Sequence, residues 1–137
     1  MKKIIVAIMV LLAINAAFAK HVCYVSKSDS IFHVNKDGDS EYVRAMTIFY
    51  DEKNYHHEAT ISNTQRLLSI RRFHGDQLRE ATFMAKEVGD RGYYYSYTKY
   101  DRFGIAVDSH TTDMSLTTIG SKWSEFTDNC GKYIEVE

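Results

Sequence analysis

The chain has 137 residues, with 17 basic against 18 acidic side chains, two cysteines and no proline. This near-neutral balance excludes the basic footprint of a nucleic-acid binder. The missing proline excludes cis-proline turns and proline-rich linkers.

The first segment reads MKKIIVAIMVLLAINAAFAKH. Lys2 and Lys3 form a basic start, Ile4 to Ile14 an apolar run, and Ala17-Phe18-Ala19 a small-residue cleavage pattern. Together they predict a secretory signal peptide over 1–19. Asn15 interrupts the run before it reaches the roughly 20 residues a membrane span requires. Residues 20–137 are then expected to form a single exported domain, mildly acidic once Lys2 and Lys3 are gone and off the membrane after cleavage. An oxidising compartment and an even cysteine count predict a disulfide between Cys23 and Cys130. That bridge would tie the first strand to the last.

His21–Ser26 and Ser30–Val34 read as two short strands, followed by a turn at Asn35–Asp39. Glu41–Tyr50 and Tyr55–Ser62 read as a hairpin around Asp51–Asn54, and Arg66–Phe73 as a further strand. At Gly75 the period changes. Asp76 reads as an N-cap, and Leu78, Ala81, Thr82, Ala85 and Val88 fall on one stripe, predicting an amphipathic helix of about 13 residues that ends at Gly89 or Gly92. Tyr93–Tyr100 returns to a strand and Asp101–Gly104 turns. Ile105–Ser109 and Asp113–Ile119 read as strands, Ser121–Phe126 as a helical turn and Lys132–Val136 as a last strand. The expected fold is α+β: a mainly antiparallel sheet of seven or eight short strands, curved or partly closed into a barrel, with one helix packed on it.

Little in this sequence carries catalysis. Set on an EF-hand template, Asn35–Glu41 puts His33 and Arg44 at ligand positions, so a calcium loop is rejected. His56 and His57 are adjacent and would point to opposite faces of a strand, which does not suit one metal; a site assembled with His74 or His110 from elsewhere is the lesser alternative to solvent-facing histidines beside a turn. His110 and Asp113 have no serine in a nucleophile-elbow context. No cofactor, metal or enzymatic activity is expected.

GYYYSYTKYDRF, residues 92–103, remains. In a strand, Tyr93, Tyr95 and Tyr97 share one face and suit a core, while Tyr94 and Tyr100 share the other. Tyr94, Tyr100, Asp101 and Arg102, with His56 and His57, are the candidate partner-binding residues, since Tyr and Arg dominate interface hot spots. A small exported disulfide-bonded chain without a catalytic constellation fits a periplasmic inhibitor or immunity protein that neutralises a toxic, cell-wall-degrading hydrolase by direct binding. A second reading is a secreted OB-like carbohydrate-binding or toxin-delivery subunit, which rests on the order of elements alone. The expected partner is a protein, with a glycan as the alternative.

Overall fold

The computed structural model describes residues 20–33, 40–86, 93–115 and 117–136. The predicted leader, the turn at Asn35–Asp39 and the glycines at 89 and 92 lie outside them. Eight strands form one sheet: β1 His21–His33, β2 Ser40–Glu52, β3 Tyr55–Ser62, β4 Leu67–His74, β5 Gln77–Ala85, β6 Tyr93–Tyr100, β7 Ala106–Ser115 and β8 Cys130–Glu135. A single helix, α1 Ile119–Thr127, precedes β8. The strand order is β7-β6-β5-β4-β3-β2-β1-β8. The first seven strands are an antiparallel meander, and β8 crosses back over α1 to pair parallel with β1.

The sheet is therefore mixed and open, not a barrel. β7 and β8 are its two edges and do not pair with each other. It is nonetheless strongly coiled. Phe32 of β1 and Phe83 of β5 have ring centroids 6.5 Å apart, whereas four strand spacings in a flat sheet would separate them by about 19 Å. β1 and β2 run past the end of β3, whose Ser62 pairs with Ala45. Their overhanging ends curl across one face and make it concave.

α1 covers the opposite face. Thr118 caps it, its side chain accepting a hydrogen bond from the Ser121 amide. Ile119 and Phe126 are buried against the sheet and Trp123 packs beside them. Below lie Ile48 and Tyr50 of β2, Ala59 and Ile61 of β3, Leu68 of β4 and Met84 of β5. These alternate with residues of the concave face, as the period of a strand requires. The Cys23–Cys130 disulfide joins β1 to the start of β8 and lies in the same core. It points to an oxidising, extracytoplasmic setting. No helix among the described residues is long and apolar enough to cross a membrane.

Three sequence expectations change. The segment read as the main helix is β5, and the helix lies at Ile119–Thr127, where only a helical turn and the end of a strand were expected. His74 pairs with Gln77, so Gly75-Asp76 is a two-residue hairpin loop, with Gly75 at φ 60°. Asp76 is thus a turn residue and not a cap. β5 is half-buried on both faces, so its apolar residues follow no clean alternation and imitate a helical stripe. The two strands read at His21–Ser26 and Ser30–Val34 are one continuous β1, because Lys27, Ser28 and Asp29 between them sit in register with β2. The pair read at Ile105–Ser109 and Asp113–Ile119 is likewise one strand, β7, and Ile119 opens the helix instead.

Candidate functional site

The coiled sheet leaves a trough on its concave face with a volume of about 550 Å³. This lies within the usual range for ligand sites, about 300–1,000 Å³. Strand alternation decides what lines it. Thr60, Ser69, Phe83 and Ser96 follow one another across β3 to β6 as register partners. Thr98 and Tyr100 continue along β6. Phe32, Leu67 and Ala85 pack together at one end, with Phe83 and Tyr94 beside them. The Tyr94 ring meets the Phe83 ring edge-on at 6.1 Å. At the other end Arg71 pairs with Glu58, and Glu58 also contacts the His56 ring nitrogen Nε2 at 3.3 Å. His56 Nδ1 reaches Asp51 at 2.7 Å.

Tyr100 leads directly into the β6–β7 turn, and this turn is held from within. One carboxylate oxygen of Asp101 accepts hydrogen bonds from the amides of Phe103 at 2.8 Å and Ile105 at 3.0 Å. The Asp101 amide donates to the Ile105 carbonyl, and the Gly104 amide to the Asp101 carbonyl. Gly104 takes φ 79°, a region that favours glycine. The tip so fixed presents Phe103, 71% exposed, and Ile105, 61% exposed, to solvent. The Arg102 guanidinium lies 4.8 Å from the centre of the Phe103 ring.

The helix-side face carries a row of polar and aromatic groups beyond the C-terminal end of α1. Tyr50 is stacked between His21, at 4.4 Å, and His57, at 4.7 Å. Burial lowers the His57 pKa, opposed in part by Glu52 and aided by Arg72. Burial raises that of Tyr50, with Glu52 adding to it. Next in the row, Tyr97 donates a hydrogen bond to Glu80 at 2.7 Å. That bond, more than burial, pushes its pKa up to about 12. Arg72 Nε stands 2.9 Å from the other Glu80 oxygen, close enough for an ion pair but not aligned as a hydrogen bond. The cleft here, about 440 Å³, also takes Lys122 and Glu125 from α1, 3.5 Å apart. Its charges are matched within the fold, Arg72 to Glu80, Lys122 to Glu125 and Arg71 to Glu58, so the cleft presents no unpaired charge to a ligand.

The structure thus sorts the sequence-predicted site residues into three places. Tyr94 and Tyr100 line the trough, and His56 lies on the same face at its polar end. Asp101 and Arg102 form the turn. His57 is on the helix side, separated from His56 by the thickness of the sheet. Tyr93 and Tyr95 pack on the Ile119 cluster, on the face opposite Tyr94. Among the described residues, no group of three or more His, Cys, Asp or Glu side chains is placed to hold a metal ion. Sequence reasoning missed Phe103 and Ile105, although an apolar Phe inside an Asp-x-x-Gly turn was a visible signal. It also missed Ser69, Phe83 and Ser96, which come together only through the register of three strands. Comparison with known proteins finds no matching family model, no matching curated protein and no matching solved structure.

Proposed function

We propose that the protein is a small periplasmic binding protein, an inhibitor or immunity protein that neutralises a cell-wall-degrading hydrolase by direct contact. The observation that carries this reading is the β6–β7 tip. Two large apolar side chains are held in water on a turn that Asp101 locks with two hydrogen bonds. An interface residue ordered before contact loses less entropy on binding, so a rigid tip suits tight association. Phe and Arg are both enriched at the cores of protein interfaces. A cleft that cleaves glycosidic bonds holds two carboxylates, and the Arg102 guanidinium beside Phe103 offers such a cleft a cation on an apolar wedge. The disulfide adds resistance to unfolding in an oxidising compartment.

The test uses the purified protein against a panel of wall hydrolases that includes muramidases, amidases and endopeptidases. One of them is expected to be inhibited at a molar ratio near unity. Phe103→Ala is expected to weaken inhibition by about tenfold or more, with the melting temperature and circular dichroism unchanged. A panel without any inhibited enzyme, or an F103A variant as potent as the parent, refutes the reading.

A further inference from the structure

We infer that the trough on the concave face is a second binding site, separate from the Phe103 tip, and that its ligand is a neutral saccharide. The floor and the charge balance carry the inference. In one cross-strand row the Phe83 ring is flanked by Ser69 on β4 and Ser96 on β5's other neighbour, β6. Neither serine hydroxyl has a hydrogen-bond partner among the described residues, and both line the trough. They sit two strand spacings apart, about 10 Å. This places an apolar plate between two free hydroxyls. A sugar ring has the matching shape: its C–H face stacks on an aromatic ring while its edge hydroxyls donate and accept.

The walls extend the same chemistry. Phe32 and Tyr94 meet Phe83 at one end, and Tyr100 stands at the other, beside Thr98. The alternatives fit less well. A lipid chain would strip water from the floor hydroxyls without replacing their hydrogen bonds, which is costly. An anion would look to Arg71, the cation among the lining residues, but Arg71 is already paired with Glu58. A ligand rich in hydroxyls and without charge meets neither objection.

The experiment titrates the whole protein with chitotriose, cellotriose and maltotriose by calorimetry and ligand-observed NMR, with laurate as the lipid arm. At least one trisaccharide is expected to bind with a Kd between micromolar and millimolar. The S69A/S96A pair, which leaves the aromatic walls in place, is expected to weaken that binding by about tenfold. Tyr100→Ala is expected to weaken it as well, and Phe103→Ala to leave it unchanged. Three outcomes overturn the inference: no trisaccharide binds within its solubility, laurate binds in their place, or affinity survives S69A/S96A. Loss of binding in F103A shows instead that the trough and the tip are one site. Because the inhibition assay reads only the tip, either proposal can fail without the other.

Discussion

At β3, two neighbouring histidines face opposite environments. His56 is set among carboxylates, with Asp51 and Glu58 on its two ring nitrogens. His57 is stacked on a buried tyrosine and holds its pKa below the ordinary 6.5. Between its folded pKa and 6.5 the unfolded chain therefore binds more protons than the folded one. Stability attributable to His57 rises with pH through that window and is lost as pH falls below about 6.5. His57→Phe keeps an aromatic ring against Tyr50 and removes the titration. Its unfolding free energy is expected to fall less steeply than the parent's between pH 7 and pH 5, by denaturant titration at each pH. Equal slopes would mean that His57 titrates normally. The opposite facing of the two histidines was legible from adjacency on a strand. The burial of one and the charged setting of the other depend on β2 and β4, which sequence spacing does not specify.

At the scale of elements, the hairpins were the most legible part. Glu52 pairs with Tyr55 across the turn expected there, and Tyr93–Tyr100 spans the strand as read. The helix was misplaced because local period is a weak guide when both faces of a strand are half-buried. β5 has Glu80, Thr82 and Met84 toward the helix side and Ala81, Phe83 and Ala85 toward the trough. A Gly-Asp loop between two apolar runs was the stronger local signal. α1 is only nine residues long, too short to be stable alone, so its packing must hold it. Phe126→Ala is expected to cost about 3–5 kcal/mol by creating a cavity over Tyr50 and the disulfide. Thr118→Ala, which removes only the cap, is expected to cost about 1 kcal/mol. Chemical denaturation of the two variants checks the order. A Phe126→Ala cost no larger than that of the cap would show that the helix is not held by this contact.

At the scale of the whole molecule, one covalent bond links the two ends of the described fold. Cys23 and Cys130 are 107 residues apart in the chain. Closing so long a loop removes roughly 4–5 kcal/mol of chain entropy from the unfolded state in the chain-entropy model. The Cys23→Ala/Cys130→Ala pair is expected to lose about 2–5 kcal/mol. Hydrogen exchange should then rise first in β8, an edge strand paired on one side only. Exchange that rises uniformly across the sheet would show instead that β8 and the meander unfold as one unit.

Cysteine count, alternation and turn residues determined, without coordinates, that this chain is a disulfide-bonded, mainly antiparallel sheet, but they put its one helix on what is β5. They also divided the tyrosines of β6 between two faces. These features are legible because they are local or compositional: a strand alternates whatever lies beside it, and two cysteines in an oxidising setting have one partner each. Only the tertiary structure decided which face is covered by α1, that β8 returns parallel to β1, and that the sheet coils until Phe32 reaches Phe83. Coiling accumulates over many strand pairs through twist and side-chain packing, and no short window of sequence contains it. The trough, with Ser69, Phe83 and Ser96 side by side, is a product of that coiling and of strand register, and so is its proposed role.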